Sequence, residues 1–436
     1  MHPSMVERAS SIDLMELASD VGPAPLQVGA VLRFGAGRKL THEEVSEAIE
    51  ARTGGVRRLR QQLMPTPVGC GRPIWVDDAD FKVSHHVRAV SCPAPGDEVS
   101  LLALAAELLT TALPSDSPLW SATLVNDLAD SSCALVVLFH HVLTDGMGGL
   151  AVLANLVDGA PAVPARPSAT TVPGRWDLAR DAAASRLRTL GHARRAPAVL
   201  RAAWGELAPG SVPKAARCSL NRPVGRRRRF VTVTAPLEKV RTVAHAHGAS
   251  VNDVVLAAVG SALDAQLAAH GEHVDAFVIS VPVSGRSQES ASDLGNQVGV
   301  MPVAVPATGP RSERVEVIAQ MTGARKSSSR GASAILLAPG FRILATIGIL
   351  KRCVDHQHLV HTFTTNLRGP EDPISFLGRR VRQVIPLSAL SGNVAVAFAV
   401  MSYADELAVT VVIDPDVIPE PTALTEMLAA ELNCVE

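Results

Sequence analysis

Aromatic residues are scarce in this chain. Phe, Trp and Tyr make up 3% of its 436 residues, and Tyr403 is the single tyrosine. So few aromatics give no stacking platform of the kind that holds single-stranded nucleic acid. Neither sign of charge is in excess, with a formal net charge of -1, so no nucleic-acid partner is expected. The six cysteines, Cys70, Cys92, Cys133, Cys218, Cys353 and Cys434, form no CxxC pair. That sets aside a zinc knuckle or disulfide framework and predicts reduced, buried thiols in a cytoplasmic protein. The opening "MHPSMVERASSIDLMELASD" lacks the basic-then-apolar order of a secretory signal. The most apolar long run, "ASAILLAPGFRILATIGIL" (residues 332–350), is interrupted by Pro339, Gly340 and Arg342. A membrane span needs about 20 apolar residues in a row, so the run reads as two buried helical pieces, with a lipid-touching surface element as the alternative. There is also no G-x-S-x-G elbow, which counts against a serine nucleophile.

Apolar residues, by contrast, are plentiful. They make up 47% of the chain against 19% charged, the balance of a core-forming globular protein. The length suits two domains of roughly 200 residues each. We expect a first unit over 1–159, a crossover of linker and helices over 160–225, and a second unit over 226–436. "PLQVGAVLRF" (Pro25 to Phe34) reads as a strand. A helix follows, with Thr41 as N-cap, Glu44 closing a capping box and Gly54 near its end. "CALVVLFHH" is a Leu- and Val-rich run that predicts a strand buried on both faces. "MGGLAVLANLVDG" spaces Leu150, Leu153, Ala154 and Val157 on one helical face before Gly159. In the second unit, Ser250 caps a strong helix whose row runs Val251, Val255, Val259, Leu263, Leu267. "VDAFVISVPVSGR" and "ELAVTVVID" are strands. Strands and helices alternate in both halves, so the fold class is α/β.

The stretch that carries chemistry is "FHHVLTDGMGG", Phe139 to Gly149. Adjacent side chains on a strand point to opposite faces, so His140 and His141 cannot both serve one site while the strand lasts. One faces a cleft and the other faces packing. An imidazole at a strand end is a good general base, because its pKa lies near working pH. Asp145 falls in the following turn, and Gly146, Gly148 and Gly149 allow tight backbone geometry there. Two consecutive histidines on a strand are poor geometry for one metal ion, so no metal is expected. "SHHV", with His85 and His86, has no Asp-Gly after it and reads as structural. "HQHLVH" (His356 to His361) reads as an ordinary polar loop. Asn252 and Asp253 form either a functional pair or the first turn of a capped helix.

The full string HHxxxDG resembles the signature of acyltransferases with the chloramphenicol acetyltransferase-like fold, which include peptide-synthetase condensation domains. Further stretches narrow the resemblance to the bacterial wax ester synthase/diacylglycerol acyltransferase family. They are "PLQVGAVLRF", "SPLW" (Ser117 to Trp120), "SLNRPVGRRRRF" (Ser219 to Phe230), "VNDVVLAAV" (Val251 to Val259), "VPVSGR" (Val281 to Arg286), "LGNQVG" (Leu294 to Gly299), "TNLRGP" (Thr365 to Pro370) and "MSYADELAVTVVID". They occur in order over nearly the whole chain.

The resemblance implies two chloramphenicol acetyltransferase-like domains with the active site in a tunnel at their interface. It implies that His141 is the general base and that His140 packs or hydrogen-bonds. Asp145 would be structural, with Arg286 as its candidate partner, and Gly146 would shape the turn. Asn252, Asp253, Asn296 and Asn366 would line or support the site. The donor would be an acyl-CoA and the acceptor a long-chain alcohol or diacylglycerol, with no further cofactor. Two alternatives stand beside this. One is the same chemistry on a natural-product hydroxyl or amine, with a carrier-protein thioester as donor. The other is an inactive lipid-binding member. The run Arg226 to Arg229 reads as the solvated start of a strand or as an attractor of CoA phosphates or an anionic membrane. The expected place is the cytoplasm, with peripheral contact to the inner membrane face or a lipid droplet.

Overall fold

A computed structural model describes residues 6–143, 146–160, 172–191, 214–284, 298–326, 341 and 344–434. The first half carries β1 (Gln27–Phe34), β2 (Gln61–Met64), β3 (Ile74–Asp77), β4 (Val87–Ser91), β5 (Trp120–Asn126) and β6 (Ala134–His140). The second half carries β7 (Arg229–Pro236), β8 (Ala276–Ser284), β9 (Val298–Pro306), β10 (Thr362–Arg368), β11 (Ser375–Phe376), β12 (Arg379–Leu387), β13 (Val396–Tyr403) and β14 (Glu406–Ile413). Five helices of the first half matter below: α1 (Ser11–Ser19), α2 (His42–Thr53), α3 (Glu98–Thr110), α4 (Gly146–Leu156) and α5 (Arg175–Gly191).

The strands make two six-stranded sheets, in the orders β11-β12-β1-β6-β5-β4 and β7-β14-β13-β10-β8-β9. The hairpin β11–β12 therefore leaves its neighbours in sequence and extends the sheet of the first half. It is anchored along β1 in antiparallel register from Gly29↔Leu387 to Phe34↔Val381.

As the apolar run predicts, every residue of β6 is buried. Leu135, Val137 and Phe139 pack on one face with Leu32, Trp120 and Val152. Ala134, Val136 and Leu138 pack on the other with Leu101 and Leu109 of α3. That second cluster also takes in Ile385, Ala397 and Val412, so it joins the two halves. Each fully buried Val, Leu or Phe contributes about 1.5–3 kcal/mol, so the strand that ends in His140 is firmly set. The Thr41–Glu44 capping box of α2 forms as expected. Among the described residues one helix, Val251–Ala268, is long and apolar enough to cross a membrane, and 72% of it is buried in the fold. It is a core helix, with Val255, Val259, Leu263 and Leu267 all buried.

Five expectations are corrected. Cys70, Cys92 and Cys133 are buried, but Cys218 is half-buried and Cys353 and Cys434 are exposed. Of the expected face after the motif, Leu153 and Val157 are buried and Leu150 packs against the core, but Ala154 is exposed, and Val152 and Leu156 are buried as well. Arg228 is buried within a run expected to be solvated, because its guanidinium donates to the carbonyls of Gly225 and Arg227 at 2.8 and 2.7 Å. In the apolar run 332–350, much of which lies outside the described residues, Ile347 and Ile349 are exposed where buried helical pieces are expected. His361, in the expected polar loop, is buried and ties Val278 N to Ala216 O through its two ring nitrogens.

Candidate active site

β6 ends at His140, and the chain turns at His141. The two histidines are held by different means. His140 is 7% exposed. Its Nδ1 accepts a hydrogen bond from Val142 N at 3.1 Å, and its Nε2 lies 3.0 Å from Asp20 Oδ2. A backbone N–H can only donate and a carboxylate can only accept. The network therefore assigns the neutral tautomer with its proton on Nε2. Both ring nitrogens of His140 are committed.

Asp20 does more than hold His140. Its other oxygen, Oδ1, accepts from Leu26 N at 3.0 Å. Leu26 O in turn accepts from His141 N at 2.9 Å. Asp20, Leu26, His141 and His140 thus form a closed ring of contacts that fixes the backbone of the doublet. Asp20 sits there because α1, started by a Ser10–Asp13 capping box, ends with Asp20 as its C-cap.

The His141 ring faces a second carboxylate of α1. Its Nδ1 lies 3.4 Å from Glu16 Oε2. That nitrogen is buried, while the side chain as a whole is 27% exposed. The rest of the ring, not Nδ1, carries the exposure. One ring is packed and the other partly open, but the strand ends at His140, so strand alternation does not set the direction of His141, and both rings reach carboxylates at the end of α1.

Of the remaining expected residues, Gly146 is the first residue of α4. Asp145, Arg286 and Asn296 lie outside the described residues. Asn252 and Asn366 are brought together, with Asn366 Nδ2 donating to Asn252 Oδ1 at 3.4 Å. Asp253 is buried and spent on structure. It accepts from Ser250 N at 2.8 Å and Ser250 Oγ at 2.6 Å, and from Thr322 Oγ1 at 2.8 Å. Of its two readings, the helix cap is the one whose hydrogen bonds the structure displays. His86, read as structural, is buried and stacks on Trp120 with ring centroids 4.5 Å apart. The sequence reading missed Glu16 and Asp20. Their spacing of four, on one face of a helix, was the signal available.

Two clefts lie on this sheet. One of about 450 Å³ is mostly apolar and is lined by Leu150, Leu153 and Val157 beside Leu32, Val384 and Met401, with Arg368 also on its wall. The other, of about 770 Å³, is lined by Arg38, Arg379, Arg380 and Arg382 at the Phe34 end of β1. His140 pairs with Gln27 at the opposite end of that strand, so the arginine cleft is remote from the doublet. Among the described residues no group of three His, Cys, Asp or Glu could hold a metal ion.

This architecture is shared with solved structures. The wax ester synthase/diacylglycerol acyltransferase of Marinobacter aquaeolei VT8 superposes with a TM-score of 0.70 at 22% identity, covering 98% of each chain. The first condensation domain of the calcium-dependent antibiotic synthetase gives 0.65 at 19%, covering 98% of this chain and 96% of that one. The fold is therefore the two-domain, chloramphenicol acetyltransferase-like α/β fold. The model of the wax ester synthase/diacylglycerol acyltransferase catalytic domain matches residues 10–255, and that of the WS/DGAT C-terminal domain matches 294–436. A putative diacylglycerol O-acyltransferase of Mycobacterium bovis is 30% identical over 430 residues, covering 95% of this chain and 89% of its own. A probable diacylglycerol O-acyltransferase of Mycobacterium tuberculosis gives the same figures, 30% over 430 residues. The chain belongs to the wax ester synthase/diacylglycerol acyltransferase family, and with it to the acyl-CoA-dependent O-acyltransferases.

Proposed function

We propose that this protein joins the acyl group of an acyl-CoA to the hydroxyl of a long-chain alcohol or diacylglycerol, with His141 as general base. The observation that carries the assignment is the commitment of both His140 nitrogens, one to Val142 N and one to Asp20. His140 is thus not available to take a proton, which favours His141 of the doublet as the base. Its Nε2 removes the acceptor's hydroxyl proton as the oxygen attacks the thioester carbonyl. The C–S bond then breaks, and the imidazolium returns the proton to the departing CoA thiolate. A positioned base of this kind contributes about 10²–10⁴ in rate.

The apolar cleft beside α4, which opens from the motif glycine, suits a hydrocarbon chain. Peripheral contact with lipid at the inner membrane face or a droplet is part of the same reading. It is supported by exposed Trp176 and Leu187 on the arginine-bearing α5 and by exposed Ile347 and Ile349.

The test follows thiol release from acyl-CoA with a panel of alcohols, for the parent and for His141→Ala. We expect loss of about 10²–10⁴ in kcat. Full activity in the variant would sink the base assignment, and turnover confined to carrier-bound acyl groups would sink the CoA donor.

A further inference from the structure

We propose that Glu16 is a positioning residue for His141. Its carboxylate accepts from the Nδ1–H of the neutral imidazole and so leaves an unprotonated Nε2 for the acceptor hydroxyl. This rests on the reading of His141 as the base.

Three observations support it. First, Glu16 Oε2 is 3.4 Å from His141 Nδ1, and that nitrogen is buried. A general base must offer a lone pair where substrate can reach it, and Nδ1 is not such a place. The proton of the neutral ring therefore belongs on Nδ1, with an acceptor beside it. Second, the Glu16 side chain is itself 18% exposed, so its carboxylate is held against the site and does not project into solvent. Third, the helix that carries it is pinned where it matters. Asp20, one turn further on, accepts from Leu26 N and contacts His140 Nε2. Asp20 N also donates to Glu16 O at 3.2 Å.

One helix end thus offers a carboxylate to each histidine, and the two contacts use opposite ring nitrogens. On His140 the contact is to Nε2, and the accepting nitrogen, Nδ1, is consumed by Val142 N. On His141 the contact is to Nδ1, which leaves Nε2 as the accepting nitrogen. The same type of partner makes one ring a strut and the other a base. The distance of 3.4 Å is long for a hydrogen bond, as contacts of catalytic groups often are before substrate seats and tightens them.

The experiment uses the full chain. Imidazole nitrogens are observed by long-range ¹H–¹⁵N NMR in histidine-labelled protein, with the His141 signals assigned by their loss in His141→Ala. The parent should show His141 protonated on Nδ1 at neutral pH. In Glu16→Leu the Nε2-protonated form should appear. Its kcat should fall about 10- to 100-fold, as when an orienting partner of a functional histidine is removed, while KM for the alcohol holds within about two-fold. Glu16→Gln, whose amide oxygen accepts the same proton, should recover most of the loss. A parent His141 protonated on Nε2 overturns the proposal, and that measurement needs no variant of Glu16 to fold. An unchanged tautomer and kcat in Glu16→Leu overturns it too. If His141→Ala stays active, the base reading has failed. If His141→Ala is dead and Glu16→Leu is unaffected, the positioning role alone has failed.

Discussion

Replacing Asp20 by asparagine should be nearly as harmful as removing its side chain, despite the matched shape. Asp20 accepts twice, from His140 Nε2–H and from Leu26 N–H. An asparagine amide offers one accepting oxygen and one donating nitrogen. Either the His140 ring or the Leu26 amide then faces a donor. The imidazole cannot adapt by moving its proton to Nδ1, because Val142 N already donates there. One buried or half-buried donor is left unmet, at about 1–3 kcal/mol. Asp20→Ala removes both acceptors and should cost roughly 2–4 kcal/mol, taking the side chain's 24% exposure as a discount on two charge-assisted bonds. The ring of contacts through Leu26 O to His141 N should loosen in both variants. A displacement of about 1 Å at a catalytic group can cost on the order of 10² in rate, so kcat should fall as well. Urea melts give the first quantity and thiol release the second. If Asp20→Asn melts within about 0.5 kcal/mol of the parent and keeps its kcat, the tautomer assigned to His140 is wrong.

Asp253→Ala should lose roughly 2–4 kcal/mol, from the cap and from the unmet Ser250 and Thr322 donors, yet keep kcat within a few-fold at a temperature where it is folded. A folded but inactive variant would return Asp253 to the site. The pKa values of His86 and His361 are both held below the ordinary histidine value, by burial above all. The unfolded chain therefore binds protons that the folded chain refuses. Stability from these two groups is full above about pH 6.5 and is lost as pH falls below it, by up to about 1.4 kcal/mol per group per pH unit. Urea midpoints at pH 7.5 and 5.5 check this, and equal midpoints in a His86→Gln, His361→Gln double variant would assign the slope to them. A parent whose midpoint does not drop at pH 5.5 would refute it.

Much of the site was legible because its information is local. The run "ALVVLFH" announces a strand buried on both faces, and every residue of β6 is buried. Alternation on a strand leads to the expectation that His140 and His141 have separate jobs. The direction of His141, however, is set by the turn and by Leu26 O, since the strand stops one residue earlier. What stayed hidden depends on distant parts of the chain. Asp20 reaches His140 across 120 residues of sequence, and its spacing of four from Glu16 does not say which distant group it meets. The burial of Arg228 rests on carbonyls that accept from it, which composition does not encode. The hairpin β11–β12 joins the sheet of the other half through register with β1, and pairing between strands some 350 residues apart is not a property of either strand alone.

If His141 is the base proposed above, the doublet shows what a second, adjacent histidine adds where one would do the proton transfer. A base at the end of a strand lies where the sheet's hydrogen bonding runs out, so its backbone needs other restraints. His140 supplies them because imidazole carries an acceptor and a donor on opposite sides of a rigid ring. Nδ1 lies close enough to its own backbone to take the amide two residues on, and Nε2 projects far enough to meet another helix. An asparagine could provide a donor and an acceptor, but both sit on one carbon near the backbone, short of Asp20. A lysine could reach Asp20 but accepts nothing from Val142 N. Through Asp20 the same contact extends to Leu26 and back to the His141 amide. The first histidine is thus the element that lets the second hold its position.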